Sequence, residues 1–560
     1  MLAVLAAGCA APASNGGARS ASEDAGVQRS RGPKRLNTAI LGDLNTFSYL
    51  INLGIGSIRG VDEVEKLVHA GLSQGDGRTG GMAARLAETV PSLENGGWKV
   101  TPEGRMETTW RIRDNARWHD GTALTTGDLV FTTLTGMDRE LPAFSNPGYK
   151  AIDRVEAQDD RTILVTWKEP YIEADRMFSP EFAMPLPKHL LESAYLDDRA
   201  NFTQNLYFSE GFIGAGPFRV KEFVRSSHTV LAANPDYALG RPKLDEIVVR
   251  FMSDPNTVIA NVLAGEVLLT IGRGLSLDQS IQVTASWRDG RMESKPTNWV
   301  AHHPQHLTPN PAVIGDAQFR RALLYALDRK GMSDALQEGQ ASIAHSPLVP
   351  TEPEYKELES QIVRFDYDPR RAAQIIEGLG YSRGSDGFFL DERGQRLTIE
   401  GRTNAGDDLK DKLLFTSADL WQRAGVTVET YIVPRQAASD RELRSTYPGF
   451  DLVRQPFDPL RYHTAEAPLP SNRFQGNNRG RYMNAELDAI VDRYYVTIAR
   501  PERLRVLGQM LHHISDQAVI LGTLYGQEPI LISNKLVNVA VSLPQRVVDT
   551  WNAAEWDLNG

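Results

Sequence analysis

Three groupings of side chains in this sequence could do chemistry. Gly71-Leu-Ser-Gln-Gly75 fits G-x-S-x-G, in which a serine on a sharp strand-to-helix turn acts as nucleophile. That chemistry needs a buried strand before the serine and a helix after it. Here the preceding stretch reads as helix and Asp76-Gly-Arg-Thr-Gly-Gly81 as loop, so no nucleophile is expected. His302, His303 and His306 could offer imidazoles to a metal ion. Pro304 argues against a helix there, and on a strand His302 and His306 face one way and His303 the other, so hydrogen-bonded histidines and no metal are expected. The third grouping is Phe457 and Asp458 among Arg454, Arg461, Arg473, Arg479 and Arg481. A ring stacks, a carboxylate pairs with an ammonium and a guanidinium pairs with carboxylate or phosphate, which is recognition without bond-making. H-E-x-x-H, P-loop and dinucleotide fingerprints are absent from the sequence.

Positioning such groups is the work of a large chain. Its 560 residues exceed one core, so two or three packed units are expected. Lys plus Arg number 61 against 71 for Asp plus Glu, a net charge of −10 with no basic run, which excludes a groove that tracks nucleic-acid phosphates. Cys9 is the sole cysteine, so no intrachain disulfide or thiolate cluster can form. No segment after it approaches 18 consecutive apolar residues. Residues 10–35 are rich in Ala, Ser, Gly and Pro and read as a flexible tether, with the fold starting near Leu36. Strands are predicted at 38–41, 108–113, 160–167, 228–233 and 247–251, and helices at 61–72 and from Thr125 to Leu134. After about 300, apolar three-and-four spacing predicts helices over 318–327, 368–379, 409–423, 484–498 and 501–514, with a strand at 426–433.

Several stretches are more specific than periodicity. Met1 to Cys9, a short apolar run with small residues before the cysteine, resembles the tail of a bacterial lipoprotein signal, which implies lipid on Cys9 as the sole membrane attachment. Trp110 to Phe131 reads as a strand, a His-Asp-Gly turn and a capped helix. It is followed in order by Gly214-Ala-Gly-Pro-Phe218, Asn234-Pro-Asp-Tyr237, Leu263-Ala-Gly-Glu-Val267, Phe319 to Arg329 and Tyr367 to Ala372. Together these resemble the family 5 extracytoplasmic solute-binding proteins, the oligopeptide, dipeptide and nickel receptors of bacterial ABC importers. The resemblance implies an α/β, two-lobed periplasmic-binding-protein-like fold (type II, large cluster C type) with mixed sheets and a hinge. Residues 1–9 would be signal remnant, 36–298 with 529–560 the first lobe, and 299–528 the second.

The same resemblance implies ligand contacts from Asp62, Glu63 and Val64 before and within the first helix. Others would come from Trp299 and His302 on one crossover and Tyr525 on the return crossover. In peptide receptors a Gly-Trp followed by an Asp holds the peptide ammonium. Here Phe457 stands at the Trp position in a shorter loop, leaving Asp458 for the ammonium, with Arg454 and Arg473 as nearby cations. The expected protein is a monomeric, extracytoplasmic, lipid-anchored binding subunit that captures a small solute, an oligopeptide by preference, and delivers it to permease subunits. It would use no cofactor and catalyse nothing. A non-peptide solute (sugar derivative, opine-like acid or metal chelate) and a surface receptor or chaperone-like role are the alternatives.

Overall fold

Runs of three consecutive buried residues within 35–41, 228–233 and 246–252 mark strands covered on both faces, and these three lie side by side toward one end of a ten-stranded mixed sheet. In the computed structural model, which describes residues 32–55, 60–101, 104–543 and 546–559, its order runs from Thr427–Val433 through Thr398–Asn404, Phe450–Gln455, Gly290–Pro304, Leu521–Ser533, Leu269–Thr270, Arg35–Leu41, Glu246–Met252 and His228–Ala233 to Phe218–Val224. The strands 35–41 and 246–252 are parallel, as are 398–404 and 427–433, whereas 290–304 runs antiparallel to both neighbours. Cys9 and the tether up to residue 31 lie outside the described residues.

Two strands carry this sheet from one set of cores to another. Gly290–Pro304 pairs with Leu521–Ser533 from Gly290↔Ser533 to Pro296↔Gln527, slips, and resumes at Trp299↔Tyr525. Before the slip the flanking apolar core draws on Leu36 to Ile271 and on Ile530, Ile532, Ala553 and Trp556. After it, the core draws on Val300, Phe319, Leu323, Leu414, Trp421, Phe450 and Leu521. A bulge inserts unpaired backbone and bends a strand, so the register change at 296–299 bends the sheet locally. Gly526 sits opposite it, and a Cβ there would lie 2.6 Å from an Arg454 Nη.

The diagnostic motifs turn out to be joints. Gly214 and Gly216 press against the end of the helix Val61–Val68, where added Cβ atoms would meet Val68 O at 2.0 Å and His69 N at 2.4 Å. The His119 amide donates to Gly214 O (2.8 Å), and the Asn234 amide group donates to Gly216 O (3.1 Å). Thus the His-Asp-Gly turn, the Gly-rich stretch and the Asn-Pro-Asp-Tyr turn lock the four-stranded sheet of Trp98–Val100, Met106–Arg111, Thr162–Trp167 and Ile152–Ala157 to the large one. In the Phe319–Arg329 motif, buried Arg320 donates to Ile314 O, Gln517 O and Ala518 O, each at 2.9 Å, and Arg329 reaches Gly522 O (3.3 Å). Both arginines staple the return crossover. The helix predicted over 61–72 ends at Val68 instead, because Gly71 must pass close to Phe178 O and the Leu72 amide bonds to that carbonyl at 2.8 Å.

Candidate ligand-binding site

A cavity of about 390 Å³ lies between segments 75–81, 172–176 and 546–547 on one side and 348–354, 457–459 and 494–507 on the other. Pockets of ~300–1,000 Å³ are the usual size for small solutes. The helix Ala485–Val496 is capped by Asn484, which accepts from the Leu487 amide (3.0 Å), and its last turn delivers Tyr494 and Tyr495 to the cavity. Their rings meet edge to face at 5.4 Å. Phe457 and Pro459 complete an apolar wall, Phe457 lying 6.3 Å from the Tyr462 ring.

The polar lining has both signs. Glu173 pairs with Arg546 at 2.7 Å; burial raises its pKa, but Arg546 and Arg176 outweigh that and hold it below the usual carboxylate value. Asp175 differs. Burial pushes its carboxyl up to about 6 against the pull of Arg176, and among the described residues no cation lies within ion-pair distance of it. Arg503 donates to the Ile498 and Thr497 carbonyls at 2.7 and 3.3 Å, which fixes its guanidinium on the rim. The lining thus combines an under-paired carboxylate, a guanidinium fixed by backbone carbonyls and an aromatic wall.

Of the residues singled out from sequence, Phe457 lines this cavity and Asp458 lies beside it. Asp458 is already engaged: it accepts from the Leu460 amide (3.1 Å) and the Tyr495 hydroxyl (3.2 Å), and Arg461 is 3.8 Å away. Arg454 pairs with Asp407 (3.2 Å) and borders two other cavities, one of about 440 Å³ shared with Arg273, Asp278 and Glu528. Arg473 is exposed, in the left-handed region at φ 56°.

The remaining expected contacts are packed elsewhere. Glu63 is buried and accepts from the Asp549 and Thr550 amides (3.1 and 2.9 Å), so it anchors the C-terminal segment. Asp62 faces Arg273 at 3.8 Å, and Val64 is core. Trp299 and Tyr525 pack on each other's strands with Ala301, Ala344 and Val349, and the Tyr525 hydroxyl donates to Ser346 O or Leu348 O, both at 2.8 Å. The His302 ring packs tilted against Trp421, centroids 4.7 Å apart, and bonds Ser417 Oγ at 2.9 Å, and burial brings its pKa down to about 3. His303 lies by Asp451 and Arg479, and His306 bonds Val519 O (2.9 Å), so the three rings face different surroundings. Ser73 of the G-x-S-x-G stretch is buried in the short strand Ser73–Gly75 with its hydroxyl on Asp175 O (3.1 Å).

Residues 88–464 match the pattern of the bacterial extracellular solute-binding proteins, family 5, middle region. The chain belongs to this family. As a family 5 protein it is 22% identical over 437 residues to the oligopeptide-binding protein AppA of Bacillus subtilis, covering 77% of this chain and 75% of that one. Against protein XP55 of Streptomyces lividans the match is 26% over 343 residues, and the chain spans 59% of that relative's length. Two solved structures share the fold. One is an oligopeptide ABC transporter, periplasmic oligopeptide-binding protein from Thermotoga maritima, with TM-score 0.79, 17% identity and coverage of 94% of this chain and 99% of that one. The other is NikA of Brucella suis with Fe(III)-EDTA, with TM-score 0.75, 16% identity and coverage of 94% and 100%.

For this family 5 chain, sequence reasoning missed Asp175, Arg503, Tyr494 and Tyr495. The tyrosines were hidden in a helical pattern that reads as core. Asp175 follows Glu173 in a polar stretch after the strand Thr162–Trp167, where a short 3₁₀ turn, Ala174–Arg176, aims it. An acid beside buried apolar neighbours, Ala174 and Met177, was the available signal.

Proposed function

We propose that this protein is the extracytoplasmic substrate-binding subunit of an ABC importer, taking a small peptide between two lobes and handing it to permease subunits. The lobes are 36–298 with 529–560, and 299–528, and they swing about the register slip at 296–299. The observation that carries the reading is the cavity bounded by both lobes, with Asp175 free to accept an α-ammonium and Tyr494, Tyr495 and Phe457 as side-chain walls. Family membership and the peptide-binding names of relatives support it. Lipid on Cys9 would hold the subunit at the membrane; among the described residues no helix is long and apolar enough to cross one. The protein acts as a monomer and leaves its solute chemically unchanged.

The test is isothermal titration with synthetic tri- to pentapeptides, each with a free and with an acetylated N-terminus. The free forms bind, and acetylation weakens binding roughly 30-fold or more, equivalent to about 2 kcal/mol for a desolvated charge pair. Equal affinity of both forms, or no binding of either, would contradict the peptide assignment and favour a non-peptide solute.

A further inference from the structure

A second cavity, of about 450 Å³, lies beyond the Phe457 loop within residues 441–479, and five arginines line it: Arg441, Arg444, Arg454, Arg461 and Arg479. No aspartate or glutamate does. The other lining groups are neutral, among them Ser445, Gln455, Gln475 and Asn477. Three of the guanidiniums are held by carboxylates outside the cavity: Arg479 by Asp451 (2.5 and 2.6 Å), Arg454 by Asp407 (3.2 Å) and Arg461 by Asp458 (3.8 Å). Asp451 is shared with buried Arg402 at 3.6 Å, so it cannot neutralise both. Among the described residues Arg441 and Arg444 have no carboxylate within 4 Å. Arg444 keeps solvent contact, yet burial of its guanidinium, and then the adjacent Arg479, pull its pKa below the usual arginine value. The wall opposite is a fixed loop. Gly476 has φ +123°, a Cβ on it would lie 2.1 Å from Glu466 O, and Asn477 is held from behind by Glu466 (3.1 Å).

Five guanidiniums around a void, two of them without a carboxylate partner and one sharing Asp451 with Arg402, repel one another, and the arrangement is relieved when an anion enters. Guanidiniums with free donors in a fixed fork match the oxygens of phosphate and carboxylate. We propose that this arginine-lined cavity is a binding site for an oxyanion, phosphate or carboxylate, separate from the Asp175 cavity. It does not depend on the peptide reading. The two cavities share the loop 455–461, since Phe457 and Pro459 face one and Pro456 and Arg461 the other. An anion arriving free and an anionic end of a longer solute would meet the same donors.

The experiment uses the full chain at low ionic strength, titrated by calorimetry with inorganic phosphate and with a phosphoserine tripeptide beside its unphosphorylated form. Arg444→Gln and the Arg441→Gln/Arg444→Gln pair remove cations that hold no carboxylate, so melting temperature stays within a few degrees of the parent. Phosphate affinity is expected to fall at least 10-fold in the pair and to recover in part with Arg444→Lys. If phosphate alone binds as tightly as the phosphopeptide, the site takes free anions. If the phosphopeptide binds at least 10-fold more tightly than either phosphate or the plain peptide, the site takes a solute's anionic end. Absence of phosphate binding at millimolar concentration in the parent, or undiminished binding in the folded pair variant, overturns the proposal. Failure of plain peptides to bind leaves the phosphate result unaffected and counts against the peptide reading alone.

Discussion

The Ile172 amide donates to the Tyr495 carbonyl at 3.2 Å, joining the segment that carries Glu173 and Asp175 to the helix end that carries the tyrosine wall. Lys412 and Asp278 pair across the other inter-core cavity at 3.4 Å, both partly exposed. One such hydrogen bond contributes about 0.5–1.5 kcal/mol and one such ion pair about 0–1 kcal/mol. Contacts of this size contribute little to closing the proposed lobes, so under the proposed function a bound solute supplies the rest. Small-angle scattering is therefore expected to show a smaller radius of gyration with solute than without. An unchanged radius would contradict lobe closure.

Asp175 gives the site a pH dependence of definite sign. Its carboxyl is pushed up to about 6 by burial, so below that pH the empty site carries a proton where an ammonium must sit. Affinity for a peptide with a free N-terminus falls as pH drops through about 6, by roughly tenfold per unit. Asp175→Asn binds roughly 30-fold more weakly at neutral pH and loses that slope. Calorimetry at pH 5, 6 and 7.5 reads both effects. A sloping variant would assign the proton to another group.

Tyr525 is a stability residue in this account. Its hydroxyl serves the Ser346 and Leu348 carbonyls in a core with Trp299. Tyr525→Phe leaves buried acceptors without their donor and costs about 1–3 kcal/mol in chemical denaturation, with solute affinity within twofold of the parent. A loss of affinity with unchanged stability would return Tyr525 to the ligand wall.

Glu65 titrates with the fold. It is buried, its Oε1 accepts from the Tyr49 amide at 3.1 Å, and burial raises its pKa to about 8. A carboxyl whose folded pKa exceeds its unfolded value stabilises fully below the unfolded value, about 4.5, and that contribution is lost as pH rises through 8. Denaturation midpoints should fall between pH 5 and 9, by on the order of a few kcal/mol. Glu65→Gln keeps the acceptor and reduces the slope. A residue of slope persists from Glu63, also raised to about 8 by burial and Asp549.

Much of the scaffold was legible because it obeys simple periods. The strand at 228–233 appears at its predicted limits, and the helix Asp408–Ala424 buries Leu414, Ala418 and Trp421 at four- and three-residue spacing as its pattern requires. The crossing strands were not legible as strands. Pro296 and Pro304 interrupt one, and Gly522 and Gly526 the other, yet two antiparallel partners hold them extended. Of the residues expected to touch a ligand, Phe457 lines the candidate cavity and Asp458 lies beside it. Trp299, Tyr525 and His302 look like recognition residues by type, but strand pairing turns each into a core. The segments that carry Asp175 and Tyr495 meet through the Ile172–Tyr495 backbone bond, a tertiary contact that no local pattern encodes.

The most direct measurement is native mass spectrometry of freshly purified protein, followed by denaturation to release and weigh whatever it carries. A family of peptide masses leaving intact from a single chain is the predicted result. One discrete non-peptide mass, or a chain that carries nothing and takes up no peptide when offered, would contradict the account.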